Sequence, residues 1–392
     1  MEQLKVLFLT NWYPTKEEPV KAVWVREYAK AVRFYDEVRV LHCAGSGLNL
    51  KRLWRMEQET DEKLREGIPI YRVWYRPFPL PHTSYFIYIW SVYQAFRQLV
   101  NQGFRPDIIH VHVYDAGGPA VLIGKLHRIP VVISEHFTSF PRRILGHLDI
   151  AKAWLAFRWA NKVLPVSYAL QKAIEHYGIH AHFQVIPNVV DTALFSPPSH
   201  LPKNMNPKRI LFVGQLVPVK GLPYLLQALS HLGQKRQDWH LDIIGDGKAR
   251  MEYEHSTVKL KLGDKVAFHG LKTKQEVAEF MRRADLLVVS SLAETFSVPA
   301  AEALATGTPI LATRCGGPEE FVNTDVGLLV PPGDADILYQ GLDYMLDNLH
   351  LYSRKRIAQY AKVRFSSELV GEKLHAVYQS LSAPRRAGSA SR

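Results

Sequence analysis

Two glutamates stand eight residues apart in the string Glu294-Thr-Phe-Ser-Val-Pro-Ala-Ala-Glu302. A short run of branched apolar residues precedes them, Asp285-Leu-Leu-Val-Val-Ser290, and a second follows, Thr308-Pro-Ile-Leu-Ala-Thr313. Such runs suit buried parallel strands. Between the runs, Pro299 to Ala305 is small and helix-forming; Pro299 fits a first helical turn and Gly307 a helix stop. The segment therefore reads strand, polar loop, helix, strand. The amides of Thr295, Phe296, Ser297 and Val298 fall at the helix start, where free N–H groups and the helix dipole favour an anion. A carboxylate beside an anion site is better used on neutral hydroxyls, which it accepts well. A ligand with phosphates in the middle and sugars at both ends, a nucleotide sugar, meets these demands.

Other chemistry-bearing residues sit at strand ends. Arg209-Ile-Leu-Phe-Val213 runs into Gly214 and then Lys220-Gly221 before a helix expected over Pro223–Leu232. Glycine there lets a backbone approach a diphosphate and lysine supplies charge. Pro130-Val-Val-Ile-Ser134 ends in Glu135 and His136, on the side of the sheet where α/β folds bind ligands. His110 and His112 share one strand face. With no third ligand evident they read as satisfied or surface histidines rather than a metal site. Asp334 and Asp336 open a helix after a Pro-Pro-Gly turn and read as caps.

The elements that must hold these residues follow a Rossmann-type plan. At 392 residues the chain suits two domains. Val6–Thr10 is the first strand, Trp24–Val32 a helix with Glu27 and Lys30 outward, and Glu37–His42 the next strand. Gly45 to Pro81 reads as irregular, with Lys51, Arg52, Trp54, Arg55, Arg72, Trp74 and Arg76 interleaved. That pattern suits a membrane interface or, equally, a solvated insertion. Tyr85–Phe96 reads as a core-facing helix. Proline-rich loops place the domain boundary at 188–207, between a first domain at 1–187 and a second at 208–365. A terminal helix at 366–382 and a disordered tail at 383–392 complete the expected plan.

Composition narrows the classes. The net charge is +12. Residues 1–190 hold 24 Lys and Arg against 16 Asp and Glu, so the first half carries most of the positive excess, as an anionic lipid or acidic acceptor would require. No groove-reading module, zinc pattern or RNA-stacking motif accompanies that charge, which sets nucleic acid aside. Two distant cysteines, Cys43 and Cys315, point to a reducing compartment. No leader is read at the start of the chain, and the apolar stretch from Ser84 is too short and polar to span a bilayer. The expected place is the cytoplasm, with the inner face of the membrane left open.

The full string from Glu294 to Thr313, followed by Gly316-Gly-Pro-Glu-Glu320, closely resembles the Glu-x7-Glu segment of glycosyltransferase family 4. These are retaining enzymes of the glycosyltransferase B architecture, an α/β fold of two Rossmann-like domains facing across a cleft. The resemblance implies transfer of a sugar from a nucleotide-diphosphate sugar, with no metal and no cofactor beyond that substrate. It implies that Glu302 accepts from the ribose, that Glu294 and the following amides hold the transferred sugar, and that Lys220 holds the diphosphate. It places His136 near the transferred sugar and acceptor, Gly245 and Gly247 beside the nucleotide, and Gly270 near the base. Three positions depart from the family pattern. Gln215 stands where an arginine is usual, Lys21-Ala22 where the first loop usually carries glycine, and Val189 where Pro187-Asn188 usually precedes glycine. A lipid-linked or polysaccharide acceptor is preferred because the first half is basic and aromatic. A nucleotide-sugar epimerase and a non-catalytic nucleotide-sugar binder share the architecture and remain open at this point.

Overall fold

The computed structural model describes residues 3–15, 18, 22–45, 56–60, 67–76, 81–198 and 206–386. Lys21, the stretch holding Lys51, Arg52, Trp54 and Arg55, and the tail after 386 lie outside them. The chain divides into two compact units, Met1–Val189 with Ser367–Arg392, and Val190–Ser366.

The first unit runs β1 (Lys5–Thr10), α1 (Val23–Arg33), β2 (Glu37–Gly45), β3 (Met56–Thr60), β4 (Pro69–Tyr75), α2 (Pro81–Asn101), β5 (Ile108–His112), α3 (Gly117–His127), β6 (Val131–Glu135), α4 (His147–Trp159), β7 (Lys162–Pro165) and α5 (Tyr168–Glu175). The sheet order is β3-β4-β2-β1-β5-β6-β7. All pairings are parallel except β3 on β4. The central strands are apolar on both faces because helices cover both.

The second unit runs β8 (Lys208–Val213), α6 (Leu222–Lys235), β9 (Trp239–Ile244), α7 (Arg250–Lys259), β10 (Val266–Phe268), α8 (Lys274–Arg283), β11 (Leu286–Val289), α9 (Val298–Ala305), β12 (Ile310–Thr313), β13 (Gly327–Val330), α10 (Ala335–Asp347) and α11 (Arg354–Phe365). Its sheet is wholly parallel, in the order β10-β9-β8-β11-β12-β13. With β3 set aside, both sheets have the doubly wound order, and each reverses direction at one point. That point lies between β1 and β5 in the first unit and between β8 and β11 in the second.

The last helix, α12 (Ser367–Arg386), belongs to the first unit and packs on α1. His375 Nδ1 lies 2.9 Å from Asp36, which accepts from the Leu4 amide. Tyr378 reaches His110 at 2.6 Å.

Three expectations are corrected here. Glu27 does not point outward: it is buried, because α1 lies between the sheet and α12, and it pairs with Lys30 at 3.4 Å. The stretch from Gly45 to Pro81 is not wholly irregular, since it supplies β3 and β4. Arg72 is no surface cation. It turns inward from β4, with Nε on Glu59 at 2.7 Å, Nη1 against His42 at 2.9 Å and Nη2 on the Pro14 carbonyl at 2.7 Å.

Candidate active site

The opening glutamate and lysine meet at the reversal point of the second sheet. Lys220 ends a tight turn, Pro218–Lys220, after β8; Glu294 lies in the loop after β11. The Lys220 ammonium donates to Glu294 Oε1 at 2.6 Å, and Ser291 Oγ donates to the same oxygen at 2.7 Å. Glu294 is buried, so the lysine neutralises a charge held out of water. The two loops are stitched by backbone as well. The Leu292 amide donates to the Val219 carbonyl at 2.8 Å, and Ser290 Oγ to the Lys220 carbonyl at 3.1 Å. Gly221 makes this approach possible. Its φ is +65°, and a Cβ there would lie 1.9 Å from the Ser290 carbonyl oxygen.

Behind Glu294 the chain after β12 acts as a brace. The Glu294 amide donates to the Cys315 carbonyl at 2.8 Å, and the Gly317 amide to the Glu294 carbonyl at 3.0 Å. Burial pushes the Cys315 thiol up to about 12, with Glu294 adding to the shift. Phe296 is locked against Phe321 and Phe365, with ring centroids 5.2 and 5.5 Å away. Its ring is therefore committed to packing. Ser297 caps α9 at φ +71°, a left-handed conformation costing a non-glycine residue on the order of 1–2 kcal/mol. Val298, Thr295 and Ser297 stand with it at the helix start, whose first amides have no intrahelical acceptor. Glu302 is buried in the same helix.

The glycines form the rim on the other side of β8. The Gly214 amide donates to the Ile244 carbonyl at 3.0 Å, and the Gly245 amide to the Gly270 carbonyl at 2.9 Å. Gly245 has φ +137°, and a Cβ on it would lie 1.9 Å from the Gly214 carbonyl oxygen. Gly247 packs in the same way on the Leu216 backbone. Gln215 is exposed beside this rim, and a Cβ at Gly214 would lie 3.8 Å from the Lys220 stem. Asp334 is a cap, as its position after the turn implies: it accepts from the amides of Asp336 and Ile337 at 2.9 and 3.0 Å.

In the first unit, His136 follows β6 and sits in a row of rings. Its Nδ1 lies 3.1 Å from Asn188 Oδ1 and its Nε2 3.4 Å from His112 Nδ1. His110, His112 and His136 follow in succession, the first pair tilted at 4.5 Å and the second stacked at 5.6 Å between centroids, with Tyr28 edge-on to each. Burial lowers all three histidines from 6.5; His110 and His136 fall to about 3. Glu135 ties the adjoining loops: Oε1 accepts from the amides of His136 and Phe137, both at 2.8 Å, and Oε2 from that of Tyr114 at 2.9 Å. Burial pushes its carboxyl up to about 7, against the pull of those three amides. Val113, between β5 and that loop, has φ +71°, unusual for a branched residue.

Of the residues singled out in the sequence, the structure joins Lys220 with Glu294, and Gly214 with Gly245 and Gly270. It places Thr295, Phe296, Ser297, Val298 and Glu302 on one loop and helix. Ala22 is buried at φ +50°, at the start of α1. Sequence reasoning missed Ser291 and Asn188, and placed Glu135 at its strand end without giving it a role. Asn188 had a signal, since it sits inside the Pro187-Asn188 crossover string. Ser291 and Glu135 act through contacts that only the folded loops create.

The family described as "Glycosyl transferases group 1" matches residues 198–364, and that described as "Glycosyltransferase Family 4" matches residues 22–194. The uncharacterized glycosyltransferase MJ1178 of Methanocaldococcus jannaschii is 35% identical over 315 residues, 77% of this chain and 84% of that protein. Among solved structures, sucrose-phosphate synthase from Thermosynechococcus elongatus matches with TM-score 0.77 and 18% identity, over 97% of this chain and 100% of the other. Anabaena Alr3699/HepE in complex with UDP-glucose matches with TM-score 0.74 and 21% identity, over 96% and 100%.

Proposed function

This chain belongs to glycosyltransferase family 4, and we propose that it is a retaining, metal-independent hexosyltransferase acting on a lipid-linked or polysaccharide acceptor in cell-surface glycan synthesis. The family membership carries nucleotide-sugar transfer. The observation that supports the site is the Lys220–Glu294 pair at the reversal point between β8 and β11, where doubly wound sheets take their ligands.

In this reading the diphosphate lies over the Gly214 rim and the start of α9, with Lys220 as its cation. Both donors to Glu294 use Oε1, so Oε2 is the oxygen offered to a sugar hydroxyl. Glu302 takes the ribose hydroxyls. In the chemical step the bond from the sugar's anomeric carbon to the phosphate oxygen breaks. The acceptor oxygen bonds the same face, and its proton passes to the departing phosphate oxygen. Lys220 and the loop amides stabilise the charge that develops there. His136, fixed by Asn188 and His112, is the first unit's residue assigned to the acceptor side, with Ala22 at the start of α1. A neighbour that holds UDP-glucose favours a uridine donor among the choices to test first.

The test is turnover of UDP-, GDP- and ADP-sugars by Glu294→Ala and by the parent, with a panel of lipid-linked acceptors. Transfer should fall at least a hundredfold while nucleoside-diphosphate binding survives. Retained transfer in that variant would reject the assignment. Epimerised donor without any acceptor would favour the epimerase reading, and retained transfer in EDTA is the expected result for metal independence.

A further inference from the structure

The helical layer on one face of the first sheet is built inside out at its solvent side. Right-handed crossovers from β4 to β5, β6 and β7 put α2, α3 and α4 on the same face, and the helices pack in that order. On α4, Trp154 is 48% exposed and Trp159 49%, with Leu155 beside them. On α3, Leu122 and Leu126 are exposed, and on α2 Trp90 is. The fold does not require this. Among the described residues, α8 and α9, which occupy the matching positions in the second unit, expose no large apolar side chain.

Charge on this layer is mainly positive. α2, α3 and α4 together contain four Lys and Arg and a single acidic residue, Asp149, which Lys152 holds at 3.3 Å. Arg128, Arg142 and Arg143 flank the helices and are exposed. The aromatic and basic groups also come together in one place. The Lys125 ammonium lies over the Trp159 ring, and Lys125, Arg128 and Trp159 border a cleft of about 340 Å³. Exposed tryptophans with lysine and arginine and almost no acid match the chemistry of a bilayer interface with anionic phosphodiester headgroups.

We propose that the outer face of α2, α3 and α4 docks the protein on an anionic phospholipid membrane, with the Lys125–Arg128–Trp159 cleft receiving a headgroup. This rests on the lipid-linked reading of the acceptor for the substrate's location, and on the exposed side chains for the surface itself. It moves the membrane contact away from the stretch between Gly45 and Pro81, where Arg72 turned out to be buried.

The experiment is co-sedimentation of the full chain with vesicles of phosphatidylglycerol and phosphatidylcholine, and of phosphatidylcholine alone. The parent should bind the anionic vesicles, lose binding in 0.5 M salt (roughly a 4–5 Å screening length), and leave the neutral ones. Trp154→Ser/Leu155→Ser/Trp159→Ser and, separately, Lys125→Glu/Arg128→Glu should each lower vesicle partitioning at least tenfold. The charge variant keeps the proposal testable if the apolar one fails to fold. Parent binding that ignores lipid charge, no parent binding, or unchanged binding in a folded charge variant would each overturn it. So would a parent dimer in solution that the variants abolish, which would make a second copy the occupant. Nucleoside-diphosphate stabilisation, measured on the same preparations, judges the transferase reading independently.

Discussion

Lys220 and Glu294 stand 74 residues apart in the chain and meet through a 2.6 Å bond from Nζ to Oε1. The lysine therefore has a partner before any phosphate arrives. If the proposed placement holds, an incoming diphosphate shares its cation with the carboxylate assigned to a sugar hydroxyl, and binding of the two ligand ends is then coupled through one side chain.

The energy of the pair itself is measurable in the free protein. Lys220→Met leaves Glu294 buried without its cation and should cost about 1–3 kcal/mol. Glu294→Gln in addition should recover part of that loss, giving a coupling of about 1 kcal/mol in a double-mutant cycle. Urea midpoints of the four proteins give the number. Additive losses would mean that the pair contributes nothing to the fold, and that Lys220 is held there by the loop alone.

Gly221→Ala attacks the same junction through the backbone. The left-handed φ alone costs alanine about 1–2 kcal/mol, and the clash with the Ser290 carbonyl adds to it. The variant should unfold at lower urea with an unchanged m-value and lose nucleotide stabilisation. A variant with parental stability would show that the loops separate freely at this point.

How far the sequence carried the structure can be read from these residues. Parallel pairing in both sheets, β3 aside, followed from buried apolar runs alternating with amphipathic helices, and Glu294, Lys220 and Gly214 followed from their places after strands. Glu27 was misread because periodicity finds one buried face, and α1 has a second covered by α12, which returns from the far end of the chain. The hairpin partner β3 was missed because Met56-Glu-Gln-Glu-Thr60 is polar and an edge strand needs little apolar content. Ala22 shows the converse. Glycine was expected there, and the observed φ of +50° supplies the reason, although alanine occupies the site. The bond from Lys220 to Glu294 was not legible, since separate roles had been assigned to the two residues.

Glu135 predicts a pH dependence with a defined sign. Its carboxyl titrates at about 7 in the fold, raised from 4.5 by burial. Between pH 4.5 and 7 the folded chain keeps a proton that the unfolded chain has released. This contribution therefore favours the fold at the acid end and is lost as pH rises through about 7. Its full size is about 3 kcal/mol. The stability of the parent minus that of Glu135→Gln should shrink by that order across this interval. His110 acts oppositely: it stays neutral in the fold down to about 3, so its contribution is present above 6.5 and is lost as pH falls. Taking the difference between parent and Glu135→Gln cancels the histidine effect. A difference that does not change with pH would place the Glu135 titration outside the interval.

Gln215 offers a gain rather than a loss. The family pattern has arginine here, and the side chain is exposed beside the Gly214 rim, so a guanidinium can be added without burying charge. Its backbone carbonyl accepts from the Val217 amide, a bond that any side chain preserves. If the diphosphate lies over this rim, Gln215→Arg adds an exposed cation at the phosphates, an interaction of about 1 kcal/mol or roughly fivefold in affinity. The gain should fade in high salt, because the charge is screened. Titration of a nucleoside diphosphate into parent and variant at two ionic strengths reads both effects. Tighter binding that persists unchanged in high salt would point to a rearranged loop instead of a new cation. Equal affinity at low salt would remove the diphosphate from Gly214 and leave Lys220 and the start of α9 as its remaining support.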